Sequence, residues 1–514
     1  MKRVLALILA LLLAFSVCAC GGSGGTNSGN STDNGEVTAL NFKATATDTN
    51  PTVMGMFYRN VVGQNFNVDN ADVKEVDKKA DAMLKKIEEY PDTVKAAEGC
   101  KTYYVSNNGS DDNDGLTPET AKETYLSFKG ILNAGDCVLF ERGGLWRGQM
   151  SLREGVSYGA YGEGVKPRFY GSVDASKNGI GTWETTDTEN VYVFSKIITD
   201  YSNIVFNNGE AIGRPVQKMG DITKRELNVV YKSGKVYLYS PNGNPAEIWD
   251  TIEIAEGYTL IRGESSGGAN KNMRVQNFCV MFAGLHGIGS VGNSENLEID
   301  GCVIGYIGGK ELYLGSTSIG NGLEMWGNVK HARIHDNYVF QCFDAALTHQ
   351  SNSGMNFEAR EEDIEYTNNL VEYNVYSFEA FVAYTEPHGD GGYIDSMGKV
   401  TIADNISRFA GWGWGYLDRP DKGVPADVKY RAAAHDEPLI IKNNIFDRSK
   451  LGVYRGNAAE KSLMIFTNNT ILLNPKRTFM EIGTSVNMGG DLNAYMAKIF
   501  GDFSGTVVKE VPNK

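Results

Sequence analysis

The sequence predicts an all-β solenoid, a chain wound into stacked turns, and three observations predict it. First, one short phrase recurs from residue 275 onward: VQNFCV, EIDGCVI, RIHDNYVF, EYTNNLVE, TIADNISR, IIKNNIFD and MIFTNNTIL. In each, apolar or β-branched residues lead into an Asn or Asp, then a second turn-former or small residue, then apolar positions again. Second, the markers Asn277, Asp300, Asp336, Asn368, Asp404, Asn443 and Asn468 are separated by 23, 36, 32, 36, 39 and 25 residues. A β-rich period in the twenties belongs to a solenoid, where one turn cannot bury its own apolar face and must stack on its neighbours. Third, 60 glycines and 26 tyrosines in 514 residues make a turn-dense β composition. Equivalent residues on stacked turns stand about 4.8 Å apart. Asparagines at successive markers are therefore expected to hydrogen-bond up the stack, and Cys279 and Cys302, each two residues after its marker, to stack in the core.

The elements follow in chain order. Residues 1–19 read as a signal peptide: Lys2 and Arg3 precede an apolar run too short and too weakly flanked for a spanning helix. The segment VCACG, Val17 to Gly21, resembles the bacterial lipoprotein signal, in which small residues precede the cysteine that becomes lipid-modified. That resemblance makes Cys20 the lipid anchor and places the protein on the extracellular face of a bacterial cell membrane; the other reading is secretory cleavage after Ala19. Residues 20–45, rich in Gly, Ser and Asn, are expected to form a flexible tether. Within 46–100, Val73, Val76, Ala80, Leu84 and Ile87 share one helical face and Pro91 marks the stop, so an N-terminal capping helix is expected over the open first edge of the solenoid. Residues 101–175 are the first turns, 176–255 a small β insert domain, 256–480 the main solenoid, and 481–514 a C-terminal cap in which NAYMAKIF (493–500) covers the last turn.

Cys100, Cys137, Cys279, Cys302 and Cys342 form neither a disulfide framework nor a metal-ligand spacing. The formal net charge of -14 argues against nucleic acid as a partner, and disfavours a strongly anionic glycan unless a local basic cleft overrides it. A monomer is expected, touching the membrane only through its N-terminal lipid.

Together with YYVSNNGSDDNDGLTPETA (103–121) and GDCVLFERGGLWRGQMSLREGVSYGAYGEGVKP (135–167), the repeat resembles the right-handed parallel β-helix proteins of the pectate-lyase-like superfamily over residues 102–480. IVFNNGEAIGRP (204–215) and VYLYSPNGNPAEIW (236–249) resemble the small β insert of β-helix fucosidase and xylanase relatives. The resemblance implies a right-handed parallel β-helix and a polysaccharide or oligosaccharide substrate. Members are hydrolases, lyases or epimerases, so it implies a substrate class more firmly than a reaction. No close copy of the lyase motifs or of the paired-Asp motif of polygalacturonases is present, and GLHG (284–287) matches the latter's Gly-His-Gly only in part.

Insertions leave a solenoid at its corners, so the four long steps are expected to pile onto one common flank. They comprise 306–328, 343–366, 383–396 and 411–438, and carry Glu324, Asp344, Glu379, Glu386, Asp390, Asp395, Asp418, Asp421 and Asp436 beside aromatic rings. Rings stack on the apolar faces of sugars while carboxylates bond hydroxyls and move protons. Glycoside hydrolysis needs two carboxyl groups about 5 to 9.5 Å apart, which one or two rungs supply. The expected acid and base are Asp344 with Glu386 or Asp390, with His349 and His388 bonding the substrate or tuning a carboxyl group. Trp326, Trp412, Trp414, Arg419, Lys422 and His435 are the expected substrate-binding residues.

Each has a plainer reading. Asp344 fits a turn cap, Trp412 and Trp414 share one face of a strand and fit a core, and EAREED (358–363) fits a solvated charge run. The functional reading is glycosidic-bond cleavage by paired carboxylates. The alternatives are a lyase or epimerase, in which Arg419, Lys422, Lys429 or Arg431 serve proton abstraction and enolate stabilisation, and a glycan-binding solenoid without turnover. Hydrolysis requires no cofactor. Calcium is admitted through Asp390, Asp395, Asp418 and Asp421 in the lyase reading, whereas SDDNDG (110–115) lacks the first and twelfth ligands of a calcium hand.

Overall fold

The computed structural model describes residues 70–511 except 129, 264–268, 292, 314–316, 352–358, 383–394, 420–423, 432–434, 457–459, 474–479, 483–484 and 488–491. Strands of successive turns pair in parallel into three long sheets of 11, 10 and 10 strands among the described residues, one antiparallel pair, Met480–Ile482 with Ser485–Asn487, ending the third. The chain visits the sheets in rotation. Val329–His335 lies in the first, Tyr338–Cys342 in the second, Ala345–Ser351 in the third, and Arg360–Thr367 returns to the first. This is a parallel β-helix, as the repeat predicts. Its interior is filled by one side chain per strand position, such as Ile334, Val339, Leu347, Ile364, Val371 and Phe378, all buried in one continuous cluster.

The markers make the corner between the first and second sheets. Asn277, Asp336, Asn368, Asp404, Asn443 and Asn468 have φ of 60, 54, 55, 59, 58 and 56°, the left-handed region that Asn and Asp tolerate best among residues with a Cβ. The amide ladder forms one residue later than expected. Asn337 Nδ2–H donates to Asn369 Oδ1 at 3.1 Å, Asn369 to Asn405 at 3.1 Å, Asn405 to Asn444 at 3.0 Å and Asn444 to Asn469 at 3.0 Å, all buried. The left-handed residue turns the chain and the next one points inward. Register also separates the two cysteines: Cys279 pairs with Val303, not Cys302. Both are buried, but Cys302 lies in the interior cluster and Cys279 in the cluster on the outer side of the second sheet.

The predicted helix is Ala71–Glu88, capped by the Asn70 side chain, and it buries Val73, Val76, Ala80, Leu84 and Ile87. It lies elsewhere than expected, along the outer face of the second sheet. Val73 and Val76 pack with Leu472 and Val511 of the last turns, while Ala80, Leu84 and Ile87 pack with Tyr338, Phe340, Val303 and Cys279. Eighteen residues rise about 27 Å, close to the roughly 29 Å of six strand spacings. The free edge of the first strand, Thr102–Val105, is covered instead by residues 115–122, through Tyr104 N–H to Gly115 O (2.8 Å) and Lys122 N–H to Tyr104 O (3.0 Å). In the same stretch Lys122 Nζ donates to the carbonyl of Asp111 at 2.7 Å, so an ammonium group occupies the centre of SDDNDG.

The insert domain leaves after Ser172–Asp174 and returns with Ile252–Glu256, and these strands pair within its smaller sheet. A five-stranded sheet packs on this four-stranded one around Trp183, Phe194, Ile204, Phe206 and Leu238. At the other end, Leu492–Ile499 plugs the interior with Met496, Ile499 and Phe500, whose ring meets Phe466 at 4.9 Å. Among the described residues no helix is long and apolar enough to cross a membrane.

The insertions leave at two corners, not one. In chain order the connections after Tyr170, Ile307 and Arg408 link second-sheet strands to third-sheet ones, whereas those after Ser351, Val382 and Arg431 link third-sheet strands to first-sheet ones. Both corners border the third sheet, so its outer face becomes a floor with chain on either side.

Candidate active site

Alternation along the third-sheet strands decides what this floor presents. In LEMW, ALTHQS, YSFEAFV and ADVKYR a polar residue stands between two core residues, and parallel register lines these up: Glu324 with Thr348, Thr348 with Glu379, Glu379 with Lys429, Lys429 with Arg455. Their neighbours Leu323, Met325, Leu347, Phe378 and Val428 fill the interior. Two residues further on, Trp326, Gln350 and Phe381 form a second outward row, all half-buried. Aromatic surface thus borders a line of ionisable groups.

Three carboxyl groups meet on this floor, each less than a tenth exposed and each held. Glu324, 8% exposed, accepts from Asn321 Nδ2–H at 2.8 Å and stands 2.7 Å from His286 Nδ1. Asn321 is fixed in turn by accepting the Ala345 N–H at 2.9 Å. Glu379, 6% exposed, is 2.7 Å from Lys429 Nζ, whose ammonium lies 3.8 Å from the centre of the Tyr376 ring. Burial, and next the neighbouring charge of Asp344, push the Glu379 carboxyl above the ordinary glutamate range against the pull of Lys429 and Arg419. Lys429 is held in its ammonium form: burial opposes this, but Glu379, Tyr376 and Asp344 prevail.

Asp344 is positioned by the rungs on both sides. Its N–H donates to Gly320 O at 3.0 Å and its C=O accepts from Val375 and Tyr376 at 3.1 and 3.2 Å. Its carboxylate pairs with the Arg419 guanidinium, both nearly buried. Arg419 reaches it because GWGWG brings the short helix Trp414–Asp418 down onto the solenoid corner. A Cβ at Gly413 would run into the Tyr373 carbonyl and one at Gly415 into the Phe343 backbone, so only glycine permits that approach. The plain turn-cap reading of Asp344 does not account for this pairing.

Of the other expected residues, Trp326 shares the floor. His349 does not: it follows the outward Thr348, so it points into the interior, 1% exposed, with Nδ1 3.0 Å from Tyr366 Oη. Burial, then His435, lowers it to about 3. His435 also turns inward, its ring stacked on Tyr430 at 4.8 Å, and burial lowers it to about 4. Trp414 is a corner residue rather than a sugar platform, set against Phe343 at 4.8 Å with Nε1–H donating to Gln341 O at 2.8 Å. Trp412 packs nearby with Nε1–H on Arg448 O at 3.1 Å. The two do not share a strand face, because they lie in a turn and the helix it starts. Glu386, His388, Asp390 and Lys422 lie outside the described residues, as does Cys20.

The sequence reading placed Glu324 and Glu379 among the carboxylates of the insertions but not in the acid and base pair, and missed Lys429 in a hydrolase role, Thr348, Phe381, His286 and Asn321. The signal that finds them is a single polar residue between two apolar ones at matching rung positions, as in L-E-M, L-T-H, F-E-A and V-K-Y.

No family model matches the chain, and no curated protein matches its sequence. Solved structures are similar to it at low identity. A complex of XylC with xylose is 14% identical, covering 80% of this chain and 76% of that one, with a TM-score of 0.46. Pectate lyase Pel9A is 11% identical over 81% and 79%, with a TM-score of 0.35. The GH136 lacto-N-biosidase from Eubacterium ramulus is 14% identical over 80% and 68%, with a TM-score of 0.32.

Proposed function

We propose that this chain is a carbohydrate-active enzyme that hydrolyses glycosidic bonds on the outer face of its third sheet. One observation carries the reading: Glu324 and Glu379 face the same way two rungs apart, nearly buried, with Thr348 between them and the Trp326 and Phe381 rings alongside. Two strand spacings are about 9.6 Å at the backbone, which lets flexible glutamate arms set their carboxyl groups at the roughly 6.5 to 9.5 Å of an inverting hydrolase. Glu379, whose carboxyl is pushed up by burial and by Asp344 against the pull of Lys429, is assigned the role of proton donor to the leaving oxygen. Glu324, held by Asn321, accepts one from water attacking the opposite face of the sugar. Asp344 and Arg419 are positioning residues that set the charge around Glu379.

Elimination needs a neutral base beside the uronate carbon. Lys429 is paired with Glu379 at 2.7 Å and Arg419 with Asp344, so each is engaged by a carboxyl group, which favours hydrolysis over the lyase reading. Incubation with a panel of plant and host polysaccharides tests this: new reducing ends without ultraviolet absorbance support it. An absorbing unsaturated product, or retention without product, would replace it by elimination or by binding alone. Export with lipid attached at Cys20 belongs to the same reading, supported by the VCACG segment. Labelled fatty acid entering the wild type but not Cys20→Ser checks it.

A further inference from the structure

The corner between the first and second sheets holds a buried amine that the proposed hydrolysis does not use. Cys279 pairs with Arg168 across adjacent rungs, so Lys166 and Asn277, each two residues earlier, occupy the same corner position on successive turns. Both are buried, at 7 and 0% exposure. Lys166 Nζ donates to Asn277 Oδ1 at 2.5 Å, its one hydrogen bond among the described residues. A buried ammonium without a bonded carboxylate is costly. Burial accordingly lowers the Lys166 amine to about 8, which leaves a usable share of it neutral and nucleophilic near neutral pH.

The amide that this amine meets is held from its other end. Asn277 Nδ2–H donates to the Tyr90 carbonyl at 2.9 Å and to Asp92 Oδ1 at 2.6 Å, two acceptors that fix the oxygen toward Lys166. Asp92 is clamped in turn by Arg142, with Nε donating to Oδ2 at 2.9 Å and Nη2 to Oδ1 at 2.7 Å. Gly301 leaves the room: its φ is 64°, and a Cβ there would stand 2.6 Å from Asn277 Oδ1 and 2.5 Å from the Tyr90 ring. A carbonyl bond of about 1.23 Å puts Nζ no more than about 3.7 Å from Asn277 Cγ, close to the roughly 3 to 3.5 Å of a near-attack pair. Further along the same corner the marker Asn443 meets Asp404 instead, at 3.0 Å and exposed.

We propose that Lys166 and Asn277 join their side chains in an intramolecular amide bond. Once the ammonium has given one proton to water, the Nζ lone pair attacks Asn277 Cγ, the Cγ–Nδ2 bond breaks, and Nδ2 leaves as ammonia. The second proton that Nζ sheds passes to the departing nitrogen, carried by the Asp92 carboxylate already bonded to it. No oxidant or cofactor enters, and burial keeps water from competing for Cγ. Arg142 is a positioning residue that aims Asp92. The linked amide keeps one N–H for Tyr90 or Asp92. Its two ends lie 111 residues apart in sequence, one before the insert domain and one after it, so the bond staples the turns on either side of that insertion and holds them in register if the insert opens.

The test is peptide mapping of the full chain by mass spectrometry after denaturation and proteolysis. The wild type should yield a branched peptide that joins the Lys166 and Asn277 segments and is about 17 Da, one ammonia, lighter than their sum. Lys166→Arg should yield only linear peptides, and Asp92→Asn should lower the linked fraction at least about tenfold. Recovery of both wild-type segments wholly linear, or with Asn277 merely deamidated and about 1 Da heavier, would overturn the proposal, as would the same branch in Lys166→Arg. Should either variant fail to fold, the wild type alone decides, because fragmentation of the branched peptide reads the joined residues directly.

Discussion

The outer faces of the second and third sheets carry similar charge and end in opposite conditions. On the second, Arg408 bonds Asp447 at 2.7 Å and Glu372 at 3.3 Å and pairs with Asp77 of the long helix, while Arg448 bonds Asp447 at 2.6 Å. Burial opposes the charge on Asp447, but Arg448 and Arg408 hold it below the ordinary aspartate range. Helix side chains then cover the remaining surface. On the third, Glu324, Asp344, Glu379 and Arg419 keep 6 to 8% exposure and Lys429 is half-buried, against 0 to 3% for Glu372, Arg408, Asp447 and Arg448 on the second. Buried charge alone does not mark a site; charge that keeps a little exposure along one aligned row is the better sign.

The largest effect that would sharpen this contrast is on turnover. Glu379→Gln, which keeps an acceptor for Lys429, should lower kcat on the glycan found by the panel about 10² to 10⁴-fold. Because Glu379 is raised, the alkaline limb of kcat/KM, where a general acid loses its proton, should lie above the ordinary carboxylate range and vanish in the variant. An unchanged rate would remove the third sheet's claim. On the covered face the loss should be in stability. Arg408→Met strands buried carboxylates and should cost about 3 to 5 kcal/mol in urea unfolding, with activity per folded molecule unchanged. Asn405→Ala, which breaks the interior ladder on both sides, should cost about 1 to 3 kcal/mol, again without a change in KM.

The smallest expected effect is a pH dependence. Asp336 and Glu298 raise His335 to about 9, above its ordinary 6.5. Its protonated form therefore stabilises the fold fully below pH 6.5, and that contribution fades as pH rises through about 9. The melting temperature should fall across that window and fall less in His335→Gln.

The solenoid was legible because its cause is local: a turn residue that tolerates positive φ must recur wherever the chain rounds the same corner. The helix was legible for the same reason, from Val73, Val76, Ala80, Leu84 and Ile87. Its berth was not, since an apolar stripe states that it needs cover but not which surface supplies it. The amide ladder was misplaced by one residue because both halves of each Asn pair are turn-formers by composition, and only backbone geometry separates the one that turns from the one that points in. Asp344, Trp326 and Arg419 were named for their proximity to insertions, and the structure sets them at the third sheet or its corner. His349 was named by the same criterion, which ignores alternation, and the structure turns it inward, away from the face of Thr348. Glu324 and Glu379 are separated by 55 residues of sequence and joined only by register, which depends on insertion lengths that no single strand reveals.

Arrays of stacked units usually fray from their ends, because a terminal unit has one neighbour and loses little when it peels away. Here the long helix begins beside the final turns, where Lys509 bonds Asp72 at 2.5 Å, and ends near the early ones, where the Asn277 amide donates to the Tyr90 carbonyl at 2.9 Å. It acts as a strut along the rod, so neither terminal coil can peel without breaking contacts made at the opposite extremity. Amide exchange should accordingly show even protection along the rod rather than a gradient rising toward its middle.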